Sequence, residues 1–208
     1  MKQVSALRQY GWNTWIVANI VGGVIAWSLF VSVFAQTGNL FGGTNEGSAF
    51  RAITGAVTWA IVWGIIGSVQ WLVLRNMLPY ALLWIPTQIL GGVIMGIAGE
   101  SLFAAQGGVA FGSVAGACGG LVSGVTQWLL IQRVSQQAWW WIPGHMIATA
   151  SAMGMSWLCI SLLLQVFGSV IGLMGTWAIC GAISGVIYSA ITGSMLRWLL
   201  HHPLRSNL

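Results

Sequence analysis

The chain has 208 residues, 57% of them hydrophobic and only 4% charged, where soluble domains carry about 25% charged residues. Seven Lys and Arg with two Asp and Glu cannot cover the surface of a water-soluble fold of this size. Several apolar stretches reach the roughly 20 residues that cross a bilayer as a helix. Composition therefore specifies a single polytopic membrane domain over residues 1–208 and leaves no room in them for an extramembrane domain.

Polar breaks mark six spans at about 13–35, 52–74, 82–104, 109–131, 141–166 and 170–200. The first could be mistaken for a signal peptide, because Ser32-Val33-Phe34-Ala35 offers a small residue near a cleavage point. Its apolar stretch is too long for that, and it carries an element repeated in later helices. The 36–50 connector is rich in Gly, Asn and Thr and reads as an exposed loop. The remaining connectors are short, so consecutive helices should be antiparallel neighbours. The last span is long enough to tilt or bend. The expected fold is an all-α, six-helix transmembrane bundle.

Basic residues set the orientation. Lys2, Arg8, Arg75, Arg133, Arg197 and Arg205 fall on one side of this layout, and only Arg51, close to Glu46, falls on the other. Both termini should be cytoplasmic. The same rule accounts for the net charge of +5, so no nucleic-acid partner is needed. The bilayer, with its anionic lipid, is the expected contact.

A shift of 57 residues places Gly67, Gln70, Trp71, Trp84, Ile85 and Pro86 on Gly124, Gln127, Trp128, Trp141, Ile142 and Pro143. Trp15-Ile16 with Gly22-Gly23-Val24-Ile25 matches Trp84-Ile85 with Gly91-Gly92-Val93-Ile94, and Gly181 and Gly185 correspond to Gly120 and Gly124. These matches read as three helix hairpins related by a pseudo-threefold axis along the membrane normal.

Helix 4 carries glycine at 108, 112, 116, 120 and 124. Helix 2 has Ala52, Ala56, Ala60, Gly64 and Ser68 in register, and helix 6 has Gly181, Gly185, Ser189 and Gly193. Small residues at every fourth position make a flat groove in which a second backbone can approach. On this reading helices 2, 4 and 6 pack together at the centre, with Gly108, Gly112, Gly116, Gly120 and Gly124 as a packing seam. A leucine at Gly116 should then be worse tolerated than one at Ala115. The competing use of the stripe is a homo-oligomer or a membrane-protein partner.

The repeat also aligns polar side chains. Asn19, Gln88 and His145 each lie four residues inside the Trp that opens an odd-numbered helix, roughly 6 Å of depth. Gln70 and Gln127 lie shortly before the closing arginines, and Tyr188 takes the matching place in helix 6. These six should form one polar layer. It is either a site for a head group, small polar solute or pigment such as chlorophyll or carotenoid, or a set of interhelical hydrogen bonds. His145 could ligate a pigment magnesium or a haem, although no second histidine stands opposite it. His201 and His202 join the basic cluster at the membrane exit. Glu100, beside Ser101 and the Gln106-Gly107 turn, reads as a solvated helix end rather than a proton carrier. Cys118, Cys159 and Cys180 are dispersed and lack metal-binding spacing. Of the 14 tryptophans, Trp12, Trp15, Trp84, Trp139, Trp140, Trp141 and Trp198 gather as an interfacial belt. Trp27, Trp59, Trp63, Trp157 and Trp177 lie deeper and could flank a flat ring system or face lipid.

Catalytic constellations are scarce. Leu121-Val122-Ser123-Gly124 lacks the first glycine of the G-x-S-G step in rhomboid-type proteases, and helix 6 has no histidine before His201. Without a base Ser123 would be an inert hydroxyl, so no enzyme, catalytic residue or metal is expected. The G-x-x-Q-W-L-h-L-R unit followed by W-I-P, at Gly67–Arg75, Trp84–Gly92, Gly124–Arg133, Trp141–Pro143 and Gly181–Leu199, resembles repeats in uncharacterised polytopic membrane proteins of photosynthetic, cyanobacterial-type bacteria. That resemblance implies a cell or thylakoid membrane and no established activity. Two functions follow: an accessory, assembly or ligand-binding subunit acting through helix contacts, or a passive transporter or channel for a neutral or weakly polar solute.

Overall fold

The computed structural model describes residues 2–40, 48–100 and 108–203, with the side chains of 2–10, 38–40, 48 and 167–171 outside the description. Its helices are α1 (Lys2–Leu40), α2 (Ser48–Leu74), α3 (Trp84–Ala98), α4 (Gly108–Ile131) and a continuous run over Trp141–Leu200. That run breaks at Gly172, whose φ of 67° and ψ of 173° are not helical. Only glycine takes such an angle without steric cost, and the chain turns there into two spans, Ala138–Val166 (α5) and Gly172–Leu200 (α6). Six helices are long and apolar enough to cross a membrane, and among the described residues there is no β-strand.

Two boundaries differ from the sequence reading. α1 starts well before residue 13 and runs to Leu40, and α2 starts at Ser48, so the 36–50 connector is largely helical at both ends. α3 closes at Ala98, and Ser101 and the Gln106-Gly107 turn lie outside the described residues. So do Glu46 and the side chains of Lys2, Arg8 and Arg205.

Each helix packs on its neighbours in the chain, and α6 returns to α1, which closes a ring. The small-residue stripes do not meet at a centre, contrary to expectation. Each even-numbered stripe seats the following odd-numbered helix instead. A Cβ on Gly116 would come within 2.7 Å of the Thr149 carbonyl oxygen of α5, and one on Gly124 within 3.2 Å of the Ile142 carbonyl oxygen. Gly112 abuts Met153 and Trp157, and Gly120 abuts Thr149. In α6, Gly181 faces Gly23 of α1 backbone to backbone, and Gly185 faces Asn19. Gly96 of α3 meets Gly55 of α2 in the same way. In a ring, helices two apart are separated by the one between them, so close approach is available only to neighbours.

Gly108 stands outside the seam. A Cβ there would meet nothing within 4 Å, and its φ of 70° starts α4. Nor is Ala115 on a free face. It is buried toward α3, where Gly119 and Gly91 also meet. α4 therefore has two packed faces, and Gly116 and Ala115 do not contrast a buried position with a free one.

Candidate functional site

Three indole N–H groups near the start of the odd-numbered spans anchor one half of the bundle. Trp84 Nε1 donates to Gln70 Oε1 at 2.7 Å and Trp141 Nε1 to Gln127 Oε1 at 2.9 Å, each pair fourteen residues apart. Trp15 Nε1 donates to Thr192 Oγ1 at 3.1 Å, across from α1 to α6. The indoles of Trp15 and Trp84, and of Trp84 and Trp141, meet edge to face with centroids 6.4 and 5.7 Å apart.

An indole can only donate, and this fixes the direction of the bonds that follow. Because Gln70 Oε1 receives Trp84, its Nε2 faces Asn19 Oδ1, to which it donates at 2.7 Å. Gln88 Nε2 also donates to Gln70 Oε1 at 2.7 Å and to the Tyr188 hydroxyl oxygen at 3.3 Å. The Tyr188 O–H is then left to donate to His145 Nδ1, 3.3 Å away. His145 must carry its proton on Nε2, which donates to Ser123 Oγ at 2.8 Å. Ser123 in turn donates to the Gly119 carbonyl at 2.9 Å. The result is a directional chain of buried groups through α1, α2, α3, α6, α5 and α4.

The chain joins Asn19, Gln70, Gln88, Tyr188 and His145 in one connected network. Gln127 stands apart. Its Oε1 serves Trp141, but its buried Nε2 has no partner. Ser123 enters the network in a role that its sequence context does not announce. A histidine does stand beside this serine, so the expectation that no base is within reach fails. The direction of the bond is nevertheless the reverse of nucleophile activation. A general base offers a lone pair to the serine proton, whereas His145 presents Nε2–H to the serine oxygen. Both ring nitrogens of His145 face protein hydroxyls, which leaves neither for a magnesium or haem iron. Among the described residues no group of three or more His, Cys, Asp or Glu gathers as a metal site.

Space beside the network is small. A cavity of about 30 Å³ touches Asn19, Tyr188 and Ser184, enough for a water or two. Beyond it, away from the opening tryptophans, the bundle is aromatic. Trp27 stacks on Trp177 at 5.3 Å, Phe30 lies 4.9 Å from Trp59 and 5.0 Å from Trp177, and Trp157 meets Trp177 edge to face at 6.2 Å. Trp27, Trp59, Trp63 and Trp177 are buried, and these rings pack on one another or on interior side chains rather than facing lipid.

Other expected residues fall as follows. Glu100 is half-buried and packs against Gly55 of α2, not out in solvent. Burial raises its carboxyl above the ordinary value, and the Arg51 guanidinium opposes that shift. The thiols of Cys159 on α5 and Cys180 on α6 are neighbours across the two helices, so these two are not dispersed. His201 and His202 are exposed, with Nδ1 on the carbonyls of Arg197 and Trp198 at 2.7 and 3.0 Å.

The Gln-to-Trp spacing of fourteen, present twice in the sequence, is the signal that marks the indole anchors. Thr192 has no such signal, because its partner Trp15 is 177 residues away. Compared with known protein families, with characterised proteins and with solved structures, the chain matches none.

Proposed function

We propose that this protein is a non-enzymatic integral membrane subunit, an accessory or assembly component that acts through its helix surface on a membrane-protein partner. The observation that carries this reading is the polar network of Asn19, Gln70, Gln88, Tyr188, His145 and Ser123. Its amides, phenol and imidazole are bonded to one another, and the space beside them is about 30 Å³. A permeation path needs polar groups left free for the solute, and a ligand site needs a concavity of some 300 Å³ or more. The network supplies neither, and Gln127 Nε2, which the layer leaves unbonded, does not line that space. Bonds of this kind contribute about 0.6 kcal/mol each in a membrane, and their direction gives the six helices a defined register.

The resemblance to proteins of photosynthetic bacteria supports a plasma or thylakoid membrane, and the repeat supports descent of the bundle from a helix hairpin. The basic residues support cytoplasmic termini. A cysteine at exposed Gln136 should resist an impermeant thiol reagent applied from outside, and one at Asn45, which lies outside the described residues, should react. The opposite pattern reverses the orientation.

Function is tested by reconstitution. Vesicles containing the protein should pass water, glycerol and urea no faster than protein-free vesicles, while mild-detergent purification should retain a membrane-protein partner without visible absorption from a pigment. Solute flux that responds to Tyr188→Phe would make the layer a permeation path and overturn the proposal. A bound chromophore would replace it with a pigment carrier.

A further inference from the structure

A larger cavity, of about 230 Å³, lies where α6 returns to α1. At the other two passages from an even-numbered to an odd-numbered helix the chain itself fills the corner. After α2 the turn buries Leu78 and Ala81, and after α4 it buries Ser135 and Ala138. No covalent turn joins α6 to α1, and among the described residues this third corner is open.

The corner is amphipathic. Trp12 and Trp15 of α1, Met77 after α2 and Leu196 of α6 form apolar walls, while Asn76, Arg197 and His201 supply polar groups. The basic residues at the other two corners are engaged: the Arg75 guanidinium lies 5.9 Å from the Trp71 ring and that of Arg133 lies 5.0 Å from the Tyr80 ring. Arg197 is exposed, and among the described residues no carboxylate or aromatic ring is paired with its guanidinium. His201 uses Nδ1 on the Arg197 carbonyl, which leaves Nε2 for an outside group.

We infer that this corner holds an anionic glycerophospholipid, its phosphate on Arg197 and its glycerol and upper acyl chain against the tryptophan and methionine walls. A guanidinium presents a fork of donors that matches phosphate oxygens. An apolar cleft beside such a cation, at the depth of the tryptophan belt, fits an amphipathic anion better than a neutral solute. The lipid takes the place that peptide turns take at the other two corners and seals a seam of the ring that the described residues leave open. This inference is independent of the role proposed above, since a channel or an assembly factor could carry the same lipid.

Native mass spectrometry of the detergent-purified full chain, titrated with phosphatidylglycerol, phosphatidylcholine or free glycerol phosphate, tests it. A phosphatidylglycerol adduct should persist where phosphatidylcholine and glycerol phosphate do not, and it should raise the melting temperature. Arg197→Gln should weaken the adduct about fivefold, as expected for one basic residue at the membrane surface, while Arg75→Gln leaves it unchanged. Met77→Trp, which fills the cleft and keeps the charge, should also lose the adduct. Equal losses in Arg75→Gln and Arg197→Gln would reduce the effect to general surface attraction and overturn the site. Glycerol phosphate binding as tightly as the lipid would overturn the lipid assignment. Arg197→Gln changes an exposed side chain, so its comparison with Arg75→Gln decides the matter even where Met77→Trp unfolds.

Discussion

The polar and aromatic halves of this bundle hold the same six helices by different means. In the polar half, amides, an imidazole, a phenol and indole N–H groups form a chain in which each bond fixes the direction of the next. In the aromatic half Trp27, Phe30, Trp59 and Trp177 pack ring on ring. There the indole N–H groups of Trp157 and Trp177 are buried without partners. Lipid supplies no hydrophobic drive between helices, so the aromatic half depends on contact area and the polar half on directed bonds of modest strength. Stability and register are therefore separable here. Area holds the ring together, and the polar chain selects which side chains face one another.

The largest effect should come from the aromatic half. Trp177→Ala removes the ring that touches Trp27, Phe30 and Trp157, and should destabilise the protein by about 3 kcal/mol or more, read as a fall in melting temperature in detergent. An effect no larger than that of Tyr188→Phe would erase the distinction between the halves. Next comes the glycine seam. Gly116→Leu forces a branched side chain against the Thr149 carbonyl and Met153 and should cost about 1–3 kcal/mol. The proper control is Val114→Leu on an exposed face, which should change little. Equal costs for the two would show that backbone contact between α4 and α5 contributes nothing special.

Tyr188→Phe takes the hinge out of the polar chain. His145 Nδ1 loses its donor and Gln88 loses its bond to the hydroxyl while keeping the one to Gln70, so the expected loss is about 1 kcal/mol, two bonds at about 0.6 kcal/mol each, with fold and helicity intact. A double-mutant cycle of Tyr188→Phe with Ser123→Ala asks whether the bonds act together. Coupling between the two, which touch only through His145, is expected from the directional chain, and strict additivity would argue that the bonds act singly. The smallest effect belongs to Trp157→Phe. It deletes an indole N–H that has no partner, and the relief should offset the lost ring area, leaving the melting temperature nearly unchanged. A large fall would mean that this N–H has an acceptor.

Much of this is legible in the sequence. The six spans follow from hydropathy because a backbone in lipid must satisfy its own hydrogen bonds, and helices do so within each segment. The depth of Asn19, Gln88 and His145 follows from their fixed distance from an opening tryptophan. Depth does not decide which neighbour a side chain meets, however, and there the sequence misleads. The stripes on α2, α4 and α6 are legible as packing faces, but their partners are not, because a groove records its own flatness and not the helix that fills it. Ser123 looks inert for want of a histidine on helix 6, when the neighbouring histidine is on α5.

Local composition and the rise per residue of a helix are enough to place this chain in a membrane, to count its crossings, and to set the level of its polar and aromatic groups. They are not enough to show that the helices form a ring closed by α6 on α1, that His145 donates to Ser123, or that among the described residues one corner of the ring is open beside Arg197. Each of those depends on the rotation of a helix about its own axis and on groups far apart in the chain. A bond such as Trp15 to Thr192, spanning 177 residues, leaves no periodic trace in the residues between.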